Sequence, residues 1–299
     1  MLKIRNLNKT YANGVHAIKN VTLDIPTGLF GLLGPNGAGK SSLMRTIATL
    51  QEPDSGTIHF GDLDVLKNSE GLRRQLGHLP QDFGLYPKVT AEDLLNHFAV
   101  LKGLTSRGER REMVDGLLKQ TNLWDVRRRK LGTFSGGMRQ RFGIAQALLG
   151  APKLVIVDEP TAGLDPEERN RFLNLLAEIG GQVVVILSTH IVEDVTDLCP
   201  RMAMIVKGEV LLQGDPQDAI DLLRNRVWRK RVSPAVLAAY REQFNVLSSK
   251  LVGGLPQVHV FADSQPDEGF VSHEPDLEDV YFLKLRQADG VAAAIATAS

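Results

Sequence analysis

Gly34-Pro35-Asn36-Gly37-Ala38-Gly39-Lys40-Ser41 has the residue types and spacing of a loop that holds phosphate. Its glycines let backbone N–H groups turn inward on an anion, the Lys40 ammonium reaches β- and γ-phosphates, and the Ser41 hydroxyl suits Mg²⁺. A second chemical feature is Asp158-Glu159. Beside a phosphate loop such a pair divides the work: the first carboxylate holds Mg²⁺ through water and the second orients or deprotonates an attacking water. Without the loop, the same pair would read as a cap after a buried strand. Ser135-Gly136-Gly137 opens a helical pattern from Met138 to Leu149, with Met138, Phe142, Ala145 and Leu149 on one face, and its N-terminus attracts anions. Two phosphate-grade helix starts with one carboxylate pair leave two readings, a spare glycine-rich cap or a site completed by another copy of the chain.

The elements that must position these groups are legible around them. Leu29 to Leu33 reads as a buried strand before the phosphate loop, and Ser42 to Ile47 as a helix whose positive end faces the phosphates. Leu154 to Val157 and Val183 to Leu187 are apolar on both faces, as strands covered on both sides must be. They end in Asp158-Glu159 and Ser188-Thr189-His190, where open parallel α/β sheets place their ligands. Asp165, Pro166 and Glu168 predict an N-cap, a first helical position and a capping box. Between about 87 and 150 the pattern is helical and charged, with a capped start at Thr90-Ala91-Glu92-Asp93 and a charged helix over Arg107 to Leu118, as in a helical insertion. After Gly214-Asp215-Pro216, strand patterns at Val227 to Val232, Val246 to Val252 and Val258 to Ala262 flank a helical stretch at Pro234 to Phe244. The small-residue tail from Ala288 to Ser299 reads as loosely ordered.

The ordered motifs from Tyr11 to His190 resemble those of the ATP-binding subunit of an ATP-binding cassette (ABC) transporter. The resemblance implies an α/β fold: a P-loop NTPase core of the ABC ATPase type over 1–220, an inserted helical subdomain at about 87–150, and a small C-terminal α+β domain over 221–287. It implies that Tyr11 stacks on adenine and that Gly34, Pro35, Asn36, Gly37, Ala38, Gly39, Lys40, Ser41 and Ser42 hold the phosphates. Gln81 then meets Mg²⁺ and the attacking water and relays the nucleotide state to a membrane partner. His190 contacts the γ-phosphate, Asp165 lies in the inter-subunit loop, and Ser135, Gly136 and Gly137 cap the ATP of the opposite subunit. This copy has Phe134 and Met138 where leucine and glutamine are commonest. In the implied scheme Glu159 is the base, Lys40 and His190 stabilise γ-phosphate charge, and Ser41, Gln81 and Asp158 surround Mg²⁺. Leu85 to Leu94 and Glu274 to Phe282 resemble segments of drug and polysaccharide exporters.

Composition sets the outer bounds. The 299 residues can bury a full core, and Lys plus Arg equal Asp plus Glu at 35 each, so no global positive field draws the chain to nucleic acid. Arg127-Arg128-Arg129-Lys130 and Arg224 to Arg231 read as solvated faces or as contacts with anionic lipid. One cysteine fits a reducing compartment. No apolar run reaches the ~18 to 20 residues that span a bilayer, and Met1 to Asn6 lacks a secretion signal. The expectation is a cytoplasmic ATPase using ATP and Mg²⁺, paired head to tail with a second copy and held at the inner face of the membrane by an integral-membrane permease, with no nucleic-acid partner. A soluble ABC-type ATPase acting on nucleic acid or ribosomes, and a non-hydrolysing nucleotide-gated adaptor, are the alternatives.

Overall fold

A computed structural model describes residues 1–81, 84 and 86–297. Asp82, Phe83 and Leu85, the last of which opens the segment Leu85 to Leu94, and Ala298 and Ser299 of the tail lie outside the described residues. The chain divides into two compact units, 1–212 and 213–299. The first begins with β1 (Leu2–Thr10), β2 (His16–Ile25), β3 (Gly28–Leu33), α1 (Lys40–Ile47), β4 (Ser55–Phe60), β5 (Leu63–Asp64), α2 (Ser69–Arg73) and β6 (Leu76–Leu79). Three longer helices follow: α3 (Ala91–Leu101), α4 (Arg107–Gln120) and α5 (Gly136–Ala147). The chain then alternates through β7 (Leu154–Asp158), α6 (Pro166–Ile179), β8 (Val184–Thr189), α7 (Val192–Leu198), β9 (Arg201–Val206) and β10 (Glu209–Gly214).

The central sheet has the order β10-β9-β3-β8-β7-β6, with β9, β3, β8, β7 and β6 parallel. Its register puts Leu33 beside Thr189, Ser188 beside Asp158 and Val157 beside Leu79, so four strands finish level along one edge. Strands sit ~4.8 Å apart, so the residues just past these ends are brought within reach of one another. A second, antiparallel sheet of order β2-β1-β4-β5 is the part that sequence reasoning did not anticipate. Its Leu2, Ile4, Leu7, Val21 and Leu23 share one core with Leu43, Met44 and Ile47 of α1 and with Phe30, Ile156 and Ile186 of the parallel sheet. Each such side chain contributes about 1.5–3 kcal/mol on full burial, so α1 and the loop ahead of it are fixed by the core beneath them.

The second unit contains α8 (Pro216–Asp221), β11 (Val227–Arg231), α9 (Leu237–Gln243), β12 (Val246–Val252), β13 (Leu255–Phe261), β14 (Val271–Ser272) and α10 (Leu277–Thr297). Its sheet order is β12-β13-β11-β14. The expected border at 220 falls within α8, which belongs to this unit. Residues 288–297, expected as a loose tail, continue α10, because the run Ala292-Ala293-Ala294-Ile295-Ala296 has high helix propensity even without a capping signal.

Candidate functional site

Three of the residues singled out by sequence meet on the carboxylate of a fourth. Glu159 follows β7 in a left-handed conformation, φ +48°, and its N–H donates to the Ser188 carbonyl at 2.8 Å. That conformation is uncommon for a side chain larger than glycine and is found where surrounding contacts enforce it. It turns the carboxylate along the level edge of the sheet. Glu159 Oε1 lies 3.3 Å from Lys40 Nζ, and Oε2 lies 3.3 Å from His190 Nδ1 and accepts from Gln81 Nε2 at 3.2 Å. Lys40 and Glu159 are 4 and 8% exposed.

The phosphate loop is drawn over the start of α1. Lys40 Nζ donates to the Gly34 carbonyl at 2.7 Å and the Pro35 carbonyl at 3.2 Å, bracing the loop from below. Gly39 caps α1 at φ +105° with no side-chain cap bond, and a Cβ there would collide with the Ala17 carbonyl. The first-turn N–H groups thus keep their donors for an anion, and the helix dipole favours negative charge at that end. Tyr11 reaches the same turn: its hydroxyl is 2.9 Å from Ser42 Oγ and donates to Gln51 Oε1 at 3.1 Å. Asp158 is buried, and its Oδ1 has no hydrogen-bond partner. An orphaned carboxylate oxygen beside a phosphate loop suits a hard divalent cation, so the residues present fit Mg²⁺. Burial pushes the nearby His78 imidazole below its ordinary value, opposed by the Asp158 charge and assisted by Arg45.

Ser135, Gly136, Gly137 and Asp165 form a separate group. Ser135 Oγ accepts from Met138 N–H at 3.2 Å and caps α5, while Asp165 Oδ1 accepts from Glu168 N–H at 2.9 Å and caps α6. The reciprocal half of the predicted capping box is not used. Glu168 instead turns its carboxylate to Arg171 at 3.2 Å and Arg141 at 3.5 Å. It also occupies the space a Cβ on Gly137 would need, so a larger residue there would have to displace the Glu168 side chain. Among the described residues, no hydrogen bond or ion pair joins this group to the one around Glu159.

Residues 18–162 match the ABC transporter family model. YxlF of Bacillus subtilis, an uncharacterized ABC transporter ATP-binding protein, is 32% identical over 296 residues, covering 94% of this chain and 98% of its own. The chain belongs to the ABC transporter ATP-binding family. Another member, the linearmycin resistance ATP-binding protein LnrL of Bacillus subtilis, is 36% identical over 220 residues, 73% of this chain and 70% of that one. The daunorubicin/doxorubicin resistance ATP-binding protein DrrA of Streptomyces peucetius is 34% identical over 270 residues, 89 and 78% of the two chains. A dimeric post-hydrolysis state of the ATP-binding cassette MJ0796 bound to ADP and Pi superposes with a TM-score of 0.66 at 29% identity, covering 72% of this chain and 98% of that chain. This ABC subunit binds ATP and is an ATPase. Among its described residues no helix is long and apolar enough to cross a membrane.

Sequence reasoning missed one element of this ABC site. Asp194, fully buried in α7, accepts from Thr161 Oγ1 at 2.6 Å, from Thr189 Oγ1 at 3.3 Å and from Arg169 Nε at 2.7 Å. It therefore ties the segment after Glu159 and the start of α6 to the residue before His190. The only sequence signal was an aspartate four residues after His190 on a short helix, and many surface aspartates look the same.

Proposed function

We propose that this ABC ATPase closes two Mg-ATP molecules between two head-to-tail copies of itself, and that hydrolysis reopens the pair to drive a separate integral-membrane permease. The convergence of Lys40, Gln81 and His190 on the Glu159 carboxylate carries this reading, since all three are groups that a γ-phosphate and an attacking water need. Glu159 takes the proton from the water. Lys40, released from the Gly34 and Pro35 carbonyls, and His190 stabilise the charge that develops on the γ-phosphate oxygens. Tyr11 stacks on adenine beside α1. Asp158, Ser41 and Gln81 are the residues that would hold Mg²⁺, which when bound neutralises charge on the β- and γ-phosphates.

The second copy is required because Ser135, Gly136, Gly137 and Asp165 form a donor-rich group unconnected to Glu159 within one chain. Head-to-tail pairing sets each such group against the ATP on the partner's loop, and the dimeric form of a similar cassette supports the arrangement. Relatives named for linearmycin and daunorubicin/doxorubicin resistance support export as the direction, with the chain held at the inner face of the membrane by its permease. Phosphate release from Mg-ATP tests the chemistry. Glu159→Gln is expected to bind ATP normally and lose ~10² to 10⁴ in turnover, the range for removal of a positioned base. Unchanged turnover would take the role of base away from Glu159.

A further inference from the structure

We infer that the second unit holds a zinc-type divalent cation between His259, His273 and Asp279. These residues come from three elements: His259 from β13, His273 from the segment just after β14, and Asp279 from the first turn of α10. On β13, Val258 and Val260 face the apolar cluster with Phe270, so His259 between them projects from the opposite face of the strand, toward Asp279. One ligand atom of each residue lies within 4.8 Å of the other two. His259 Nδ1 is 2.9 Å from Asp279 Oδ1, His273 Nε2 is 4.0 Å from Asp279 Oδ2, and the two imidazole centroids are 4.3 Å apart. Zinc bonds of about 2.0–2.2 Å in a tetrahedron separate neighbouring ligands by about 3.3 Å, and the two observed distances bracket that value.

Burial points the same way. His259 is 5% and Asp279 1% exposed, and His273 Nε2 is a buried nitrogen with no hydrogen-bond partner. A buried polar atom left unpaired is costly, and a metal bond is one way to satisfy it. The outer partners are in position. Asp279 Oδ2 accepts from Asp276 N–H at 3.3 Å, Asp276 Oδ1 accepts from Asp279 N–H at 2.9 Å, and Gln257 Nε2 sits 3.4 Å from His259 Nε2. Arg229, paired across the sheet from His259, works against a cation, as does Lys250, which is ion-paired with Glu278 and also feels the Asp276 and Asp279 charges. Two imidazole nitrogens and a carboxylate form a borderline donor set that favours Zn²⁺ over Mg²⁺ or Ca²⁺, with a fourth position left for water. Bound there, the ion clips the start of α10 to β13 and to the segment after β14.

The test is Co²⁺ and Zn²⁺ titration of the full, tag-free, chelator-treated chain without nucleotide, read by visible d–d absorption and by calorimetry. The expected result is one ion per chain at micromolar concentrations or below, raising the melting temperature. His273→Gln, at the partly exposed ligand, should weaken binding by more than the ~10- to 100-fold that loss of an outer partner costs, with ATP turnover unchanged. Asp279→Asn, which keeps the side-chain shape, should do the same. Absence of tight binding to the native chain, or equal binding by native and His273→Gln proteins, overturns the assignment.

Discussion

Glu159 and Asp194 are both buried carboxylates of the first unit, yet their surroundings differ in kind. Glu159 is met by side chains from the phosphate loop, the segment after β6 and the end of β8, at distances of 3.2 to 3.3 Å. Asp194 is met by two hydroxyls and a guanidinium, two of them at 2.6 and 2.7 Å. The first set is loose and made of groups that would each have another partner once nucleotide arrives. The second is saturated and has none to exchange. A carboxylate that must act keeps weak partners, whereas one that must hold its neighbours in place keeps short ones.

That contrast predicts opposite responses to substitution. Lys40→Ala should abolish useful ATP affinity, because it removes the cation that meets the γ-phosphate, whereas its effect on unfolding should be smaller than that of Asp194→Ala because Glu159 keeps Gln81 and His190 as partners; calorimetric titration with Mg-ATP alongside a melting scan separates the two. Asp194→Ala should do the reverse. It strands Arg169, Thr161 and Thr189 without their acceptor, a loss of about 3–5 kcal/mol that lowers the melting temperature by on the order of 10 °C. Turnover should fall less than in Glu159→Gln, through misplacement of His190. A melting temperature equal to that of the native chain would erase the distinction.

Smaller effects sharpen it. Tyr11→Ala should weaken ATP binding by about 1–3 kcal/mol if the ring stacks on the base, and should weaken ITP and ATP alike, because stacking does not read base edges; equilibrium dialysis with both nucleotides checks this. The smallest expected signal is at Cys199. Burial, with a contribution from the Asp194 charge, pushes its thiol up to about 12, so at pH 8 it is almost wholly protonated and slow to alkylate. In Asp194→Ala the loosened α7 should expose Cys199 to iodoacetamide faster, despite removal of a charge that alone would ease ionisation. Mass spectrometry of timed samples gives the rates.

The parallel strands β3, β7 and β8 were legible because both of their faces are apolar, and the phosphate loop because its chemistry is local. Gln81 and His190 became candidates only by resemblance, since a loop glutamine and a histidine after a strand carry no signal alone. What brings them to Glu159 is strand order: β6 and β8 flank β7, and β3, which leads into the phosphate loop, lies beside β8 though it comes much earlier in the chain. The antiparallel sheet escaped notice for a different reason. In β1 the buried positions are Leu2, Ile4 and Leu7, because a register shift between Ile4 and Leu7, with Asn6 at φ +49°, breaks the period of two on which strand recognition depends. Asp194 was hidden by its context, since its burial comes wholly from residues distant in sequence.

Two copies of the chain must complete each other's sites for hydrolysis to separate them. Sedimentation of Glu159→Gln, which should hold ATP without cleaving it, is the decisive measurement. With saturating Mg-ATP the variant is expected to run as a dimer, and the further change Ser135→Arg, which sets a bulky side chain at the start of α5, should return it to monomer. A variant that binds ATP and stays monomeric at high protein concentration contradicts the account.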